Sequence, residues 1–245
     1  MLGLSKRQNM ENHSQNKLKL EALLDVLKHP DLKIQMEAIL ELENFLPEPK
    51  VEETLLLILK DKNKNPFVRS QVVLLLGKIK TERSIDQLIE IITDEEDLVG
   101  EKAKEKIISL AANSESFVIE ALIKILNNKN KTLRFWAADT LGYYVTSNRV
   151  VDILIEKLRN GNDEEREAVA YALGYYNGSK IVASLIDALR DQNSEVRYYS
   201  VTGLGEIGNN SAIPALKELY QKELVERVKE VVLVAIRNLE QLEHS

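Results

Sequence analysis

The chain has 245 residues, 44% of them hydrophobic, and a formal net charge of −6. This apolar content can supply one continuous core, and no break in composition separates two independently folding parts. The negative charge opposes the phosphate attraction that supplies most nucleic-acid affinity, so no nucleic-acid partner is expected. There is no cysteine, which excludes disulfides, thiolate nucleophiles and soft-metal sites and fits a cytoplasmic location.

No apolar run approaches the roughly 20 residues of a membrane-spanning helix. The longest runs, such as Leu55 to Leu59, are far shorter, so no membrane partner is expected. The first 16 residues turn polar after two basic side chains and lack the apolar middle of a signal peptide. We interpret residues 1–16 as a flexible N-terminal tail, with a short capping helix as the alternative, and residues 17–245 as one repeat domain.

From residue 17 onward, pairs of helical segments recur along the chain. The first segments of the pairs run from Leu18 to Leu27, Val51 to Leu59, Ile85 to Ile92, Phe117 to Leu126, Val150 to Leu158, Ile181 to Leu189 and Ala212 to Leu219. Short polar turns follow, and helix-capping residues precede the second segments. These predicted caps are Asp31, Asn65, Asp97, Asn130, Asp163 and Ser194.

The second segments share a short motif, in which an apolar or acidic residue precedes Arg and a Leu-Gly pair follows. Leu133-Arg134 with Leu141-Gly142 is one example. The other clear copies are Val68-Arg69 with Leu76-Gly77, Glu165-Arg166 with Leu173-Gly174, and Val196-Arg197 with Leu204-Gly205. The motif resembles the HEAT-like repeats of the phycobilisome-lyase family. That resemblance implies an all-α fold, a right-handed α-α superhelix of about seven helical pairs, whose second helices line the concave surface.

The surface of the second helices opposite the core is the candidate binding site. Because a helix turns about 100° per residue, positions 1, 5 and 9 after the Arg point away from the core, and position 2 lies on the border. Seven of the thirteen aromatic residues then share this surface. The predicted partner-binding groove comprises Phe135, Trp136, Asp139, Tyr143, Glu167, Tyr171, Tyr175, Tyr198, Tyr199, Thr202 and Glu206.

Two interpretations of these aromatic residues remain open. Exposed rings would anchor a partner, since Tyr and Trp bring large contact area at little cost in side-chain entropy. Alternatively, the rings pack along the seam between repeats and stiffen the array. Tyr144 and Tyr176 occupy the positions of Ile79 and Ile207 and are predicted to lie in the core. The groove carboxylates favour a partner protein with basic and apolar anchor residues.

The arginines of the motif have a structural and a functional interpretation. We predict that they pair with acidic or carbonyl groups in the turns between repeats, and a row of anion-binding sites is the alternative. These residues are Arg69, Arg134, Arg166 and Arg197.

The chain lacks the residue patterns of an enzyme active site. Its three histidines, His13, His29 and His244, form no His-Glu pair on a repeat helix. No catalytic residue, metal or cofactor is therefore expected, and the di-iron hydroxylase chemistry found on HEAT repeats is excluded. The predicted function is a non-catalytic protein-binding scaffold or adaptor. The resemblance implies an alternative, a bilin lyase or chromophore carrier whose aromatic groove and arginines would hold a bilin or a bilin-bearing protein.

Overall fold

The computed structural model describes residues 15–46, 48–94 and 98–242. Within these residues the regular structure is helical, and fourteen α-helices follow one another as seven pairs. The predicted fold class, an α-α solenoid of helical pairs, is confirmed. The helices are α1 (15–26), α2 (Leu32–Leu42), α3 (Pro49–Lys60), α4 (Pro66–Ile79), α5 (Glu82–Asp94), α6 (Leu98–Ala112), α7 (Ser116–Ile125), α8 (Lys131–Tyr144), α9 (Asn148–Asn160), α10 (Asp163–Leu173), α11 (Ser179–Ala188), α12 (Ser194–Ile207), α13 (Ile213–Lys222) and α14 (Glu226–Leu242).

The predicted division into a tail and one repeat domain meets two observations. Helix α1 begins at residue 15 and so includes the last two residues assigned to the tail, whereas residues 1–14 lie outside the described part of the chain. Contacts divide the chain at Leu110 into two compact units. A single domain over 17–245 therefore stays a prediction.

Within the second unit, residues 111–245, the helices form two layers. The second helices of the pairs, α8, α10, α12 and α14, pack side by side in chain order. The first helices α7, α11 and α13 each pack on the second helix of their own pair, α9 packs on α10, and α9 also contacts α11. In the first unit, α3 and α2 both pack on α4, and α5 contacts α3 and α4.

The spacing of apolar residues explains why both layers turn the same kind of face inward. In α8 the buried residues include Leu133, Ala137 and Leu141, which are four apart along the helix. In α9 Val150, Leu154 and Leu158 repeat the same spacing. Residues four apart share one helix face, so each helix buries one stripe against the other layer and leaves the opposite stripe outside.

Side-chain caps begin most of the second helices. Asp31, Asn65 and Asn130 accept hydrogen bonds from backbone N–H groups of the first turn, as predicted. In α10 and α12 the caps are Asn162 and Asn193, so the predicted caps Asp163 and Ser194 are wrong by one residue. In each of these two helices the cap is the Asn one residue before the predicted one, and its side-chain oxygen accepts a hydrogen bond from a free backbone N–H of the first turn. The predicted cap Asp97 lies outside the described residues.

Glycine in the Leu-Gly motif lets neighbouring second helices approach closely. A Cβ atom on the motif glycine Gly174, at the end of α10, would lie 3.0 Å from the Cα of Gly203 on α12. A Cβ on Gly205 would lie 3.3 Å from the Cβ of Ala235 on α14. The motif is therefore a packing device between consecutive repeats.

The motif arginines fasten the turns, which confirms their predicted structural role. Arg69 donates two hydrogen bonds to the Leu59 carbonyl oxygen, at 2.9 and 2.8 Å. Arg134 donates to the carbonyl oxygens of Asn128 and Lys129, at 2.7 and 3.2 Å. Arg166 pairs with Asp191 at 2.7 Å, and Arg197 pairs with Glu223 at 2.6 Å. These guanidinium groups pair with carbonyl and carboxylate groups of the protein and not with an external anion, and so they stabilise the turns.

Candidate functional site

Seven aromatic rings of the second unit form a continuous series of contacts, which we call the aromatic row. The rings come from α8, from α10 and the turn after it, and from α12. Neighbouring ring centroids lie 5.1 to 5.7 Å apart, and the rings are tilted or edge to face, a favourable arrangement for aromatic pairs. In contact order the row comprises Tyr144, Tyr143, Tyr175, Tyr171, Phe135, Tyr199 and Tyr198.

Asp139 of α8 joins two tyrosines of the row. The Tyr175 hydroxyl donates to Asp139 Oδ1 at 2.7 Å, and the Tyr171 hydroxyl lies 3.1 Å from the same oxygen. The two hydroxyl oxygens are 2.7 Å apart. Gly142 makes room for this arrangement, because a Cβ atom there would lie 2.5 Å from the Tyr175 ring. The motif glycine of α8, Gly142, therefore leaves space for the ring of Tyr175, whose hydroxyl donates to Asp139.

Three tyrosines of the row have pKa values above the ordinary value of a phenol. Burial is the main cause that raises the pKa of Tyr171, Tyr175 and Tyr199 above the ordinary value of 10.0. For Tyr175, the hydrogen bonds with Tyr171 and Asp139 raise the pKa further. Both phenols beside Asp139 are thus available as hydrogen-bond donors to its carboxylate.

Two basic side chains of the same unit lie over rings of the row. The Arg227 guanidinium of α14 lies 4.0 Å from the Tyr198 ring centroid, and its Nη1 donates to both carboxylate oxygens of Glu195, at 2.9 and 3.1 Å. Lys131 Nζ lies 5.4 Å from the Phe135 ring centroid and donates to Glu167 at 2.7 Å. That hydrogen bond raises the pKa of Lys131 against the opposing effect of burial, so its ammonium stays charged.

A family model for HEAT repeats matches residues 20–105, 101–174 and 151–237. The chain belongs to the HEAT-repeat family. The match is to HEAT repeats in general, so the narrower resemblance to the phycobilisome-lyase type stays a prediction. Among curated proteins, none matches the sequence.

The solved structures that match the chain are distant in sequence. Human deoxyhypusine hydroxylase has a TM-score of 0.41 at 18% identity, covering 94% of this chain and 99% of that one. An engineered protein gives 0.41 at 16%, covering 91% and 96%. A chain of the complex of CpcE and CpcF of phycocyanin lyase from Nostoc sp. PCC7120 gives 0.37 at 18%, covering 90% and 94%. At these identities no activity is transferred to the HEAT-repeat chain.

The HEAT-repeat structure brings most of the predicted groove residues together, although not all of them are open to solvent. Tyr143 is the most exposed, at 68%, and Tyr175 is exposed at 36%. The remaining rings of the row are half-buried, apart from Tyr144. The two interpretations of these rings therefore apply to different parts of the row, since the interior rings pack between repeats and the Tyr143 end faces solvent.

Three predicted groove residues outside the row are buried or half-buried. Glu167 is buried and paired with Lys131 and Arg134, so it supplies no open negative charge. Trp136 is half-buried and, among the described residues, makes none of the ring contacts of the row. The Thr202 hydroxyl donates to the Tyr198 carbonyl oxygen at 3.0 Å. Glu206, by contrast, is exposed on α12.

The predicted core position of Tyr144 is wrong. Its side chain is 43% exposed and contacts Tyr143. Helix α8 ends at Tyr144, so the helical periodicity stops there and Val145, 1% exposed, takes the buried place. Tyr176 is half-buried, and its hydroxyl donates to the Leu141 carbonyl oxygen at 2.7 Å.

The sequence analysis did not predict that Lys131 and Arg227 lie over rings of the row, or that Glu195 binds Arg227. Lys131 is four residues before Phe135, and Glu195 is three before Tyr198; both spacings place side chains on one helix face. This spacing was the available signal for Lys131 and Glu195. Arg227 comes from the next repeat, so its place over Tyr198 depends on how α12 and α14 pack.

No group of three or more metal-binding side chains occurs in the part of the chain that the structure describes. None of the described helices is both long and apolar enough to cross a membrane.

Proposed function

We propose that the chain is a non-catalytic scaffold or adaptor that binds another protein through the aromatic row. The observation that carries the proposal is the row itself, seven rings in contact across three consecutive second helices, with an exposed end at Tyr143 and Tyr144. Packed interior rings fix the positions of the exposed ones, and such preorganised aromatic groups are typical binding hot spots.

Family and charge support the same reading. HEAT repeats generally mediate protein interactions. Asp139 and Glu206 place negative charge on the outward face of α8 and α12. A partner with basic residues beside an apolar anchor complements this surface, because the charges steer the encounter and the anchor covers the rings. We place this interaction in the cytoplasm, in keeping with the absence of cysteine.

A bilin lyase or bilin carrier is the weaker proposal. A bilin needs cations to bind its two propionate groups. Among the motif arginines, the candidates are Arg134 and Arg197. Arg134 donates to two turn carbonyls, and Arg197 pairs with Glu223. The cations over the row, Lys131 and Arg227, are already bound to carboxylates of this unit. We therefore favour a protein as the partner.

The experiment is a capture comparison with matched variants. The purified protein is immobilised, an extract of the source cells is passed over it, and the eluate is analysed on gels and by visible absorbance. The test variant is Tyr143→Ala with Tyr144→Ala, which removes the exposed end of the row. The control is Tyr220→Ala, because Tyr220 on α13 is 38% exposed and lies outside the row.

A protein retained by the unchanged chain and by the control, but lost from the double variant, would support the proposal. Equal retention by all three would refute it and return the row to a packing role. Retention of a coloured species would make the bilin alternative the better proposal.

A further inference from the structure

Two rings of the aromatic row belong to groups of the same composition. Each group consists of a ring of the row, a basic side chain that lies over it and a carboxylate that binds the basic side chain. In one, Arg227 stacks on Tyr198 and is bound by Glu195. In the other, Lys131 lies over Phe135 and is bound by Glu167, with distances of 5.4 and 2.7 Å. The basic residues belong to the first turns of α14 and α8. Both groups therefore lie toward the N-terminal ends of the second helices.

The opposite end of the row repeats the ring and the carboxylate without a basic side chain of this unit. Tyr143 and Tyr175 meet edge to face at 5.4 Å, and Tyr175 donates to Asp139 Oδ1. Among the described residues, no cation lies over either ring and no donor or ion pair is found at Asp139 Oδ2. A half-buried carboxylate with a free oxygen and two partly exposed rings is thus left facing outward.

The local electrostatics favour a cation at this end. The stretches 135–148, 167–179 and 198–216 contain no Lys or Arg, although they include Asp139 and Glu206. Helix α8 ends at Tyr144 and α10 ends at Leu173, so the negative ends of both helix dipoles lie beside the same tyrosines. The carboxylates and the helix ends act in the same direction.

We infer that Tyr143, Tyr175 and Asp139 form a binding site for an arginine side chain of the partner protein. The guanidinium stacks on an exposed tyrosine ring and donates to Asp139, as Arg227 does with Tyr198 and Glu195. Arginine suits the site better than lysine because its planar group can stack and form two directed hydrogen bonds at once. The inference rests on the proposed protein-binding function and names the group that this end of the row recognises.

Two defined peptides test the site without the natural partner. The first is a blocked Gly-Leu-Arg-Leu-Gly peptide, and the second carries neutral citrulline in place of arginine with nearly the same shape. Binding is followed through the assigned ring signals of Tyr143 and Tyr175 in nuclear magnetic resonance spectra of the full chain. We expect the arginine peptide to shift these signals and to bind about tenfold more tightly than the citrulline peptide.

Variants then separate the carboxylate from the rings. Asp139→Asn keeps an oxygen acceptor for Tyr175 but removes the charge, so arginine-peptide binding should fall about tenfold while citrulline-peptide binding stays unchanged. Tyr143→Leu keeps apolar area at an exposed position and should weaken the arginine peptide alone. Asp187→Asn is the matched control, because Asp187 is exposed on α11 in the other helix layer.

Equal binding of the two peptides, no binding of either, or shifts confined to Tyr198 would overturn the inference. So would arginine-peptide binding that is unaffected by both Asp139→Asn and Tyr143→Leu. If the peptides fail while the capture experiment still depends on Tyr143 and Tyr144, the row binds a partner by other chemistry. If capture also becomes independent of these tyrosines, the proposed function itself is refuted.

Discussion

Helices α4 and α8 follow the same repeat motif, yet they differ on the face that points away from the core. At positions 3 and 7 after the Arg, α4 buries Val72 and Leu76, and α8 buries Ala137 and Leu141. The positions opposite the core are Ser70, Leu74 and Lys78 in α4, and Phe135, Asp139 and Tyr143 in α8.

The two outward faces have different fates. In α4, Ser70 is only 5% exposed and Lys78 is bonded to Glu43 of the neighbouring repeat. In α8, Phe135 joins the aromatic row and Tyr143 remains exposed. The repeat motif therefore specifies the packing common to both units. The residues between the motif positions give the second unit a series of ring contacts that the described residues of the first unit lack.

The shared core provides the largest test of this comparison. Leu76→Ala and Leu141→Ala each remove a fully buried side chain at the same motif position, so each should lower the free energy of unfolding by about 4 kcal/mol. Urea unfolding measured by circular dichroism would check this. A large loss at one site and almost none at the other would contradict the view that the motif has one role in both units.

The arginines of the motif come next in expected effect. Arg197→Met leaves the carboxylate of Glu223, a residue 5% exposed, without its main partner and should cost about 3 kcal/mol at neutral pH. The control Arg190→Met removes an exposed ion pair with Glu218, at 3.9 Å, and should leave stability unchanged. Similar unfolding curves for the two variants would mean that Arg197 does not fasten its turn.

The same pair has a defined pH dependence. The hydrogen bond from Arg197 is the main cause that lowers the pKa of Glu223 below 4.5, against the effect of burial. A depressed folded-state pKa gives stability that is present above 4.5 and lost as the pH falls through the folded value. The Arg197→Met variant should therefore lose less of its remaining stability on acidification than the unchanged protein.

The fold could be predicted in detail because the helical period and the motif register repeat. Seven pairs and the placement of their core residues follow from that periodicity. The errors occurred where a local hydrogen bond or a helix end decides the outcome. Asn162 caps α10 in place of Asp163, and Tyr144 turns outward because α8 ends there. Such end effects are not contained in a helical period.

The candidate site was predictable only in part. The spacing placed Phe135, Asp139 and Tyr143 on one face of α8, and the structure has them there. The spacing could not reveal that Glu167 forms an ion pair with Lys131, because that contact joins two helices. Nor could it reveal that Asp139 holds Tyr175 across α8 and α10. Contacts between repeats depend on packing distances that one helix does not encode.

Four tyrosines with raised pKa values give a smaller effect, visible at alkaline pH. The pKa values of Tyr171, Tyr175, Tyr176 and Tyr199 are raised above 10.0, mainly by burial. Because a raised pKa favours the protonated folded state, this stability is present below pH 10.0 and is lost as the pH rises toward the folded values. Tyrosinate absorbance should therefore rise later in the folded protein than in urea.

Tyr175→Phe isolates the contribution of one of these four tyrosines. The variant should show one late-ionising phenol fewer and lose about 1 kcal/mol, since the hydrogen bond to Asp139 is removed and the ring stays. An absorbance titration and urea unfolding measure both quantities. A titration curve identical to that of the unchanged protein would mean that Tyr175 is not among the protected phenols.

The smallest expected effect on stability separates the outward face most sharply from the core. Tyr143→Ala removes a side chain that is 68% exposed, so the free energy of unfolding should change by no more than about 0.5 kcal/mol. Partner capture should nevertheless fall, since Tyr143 is the most open ring of the row. A variant that loses as much stability as Leu141→Ala would show that this ring belongs to the core after all. Unchanged stability with weakened capture would instead mean that Tyr143, at a position where α8 differs from α4, contributes to partner binding and not to the core.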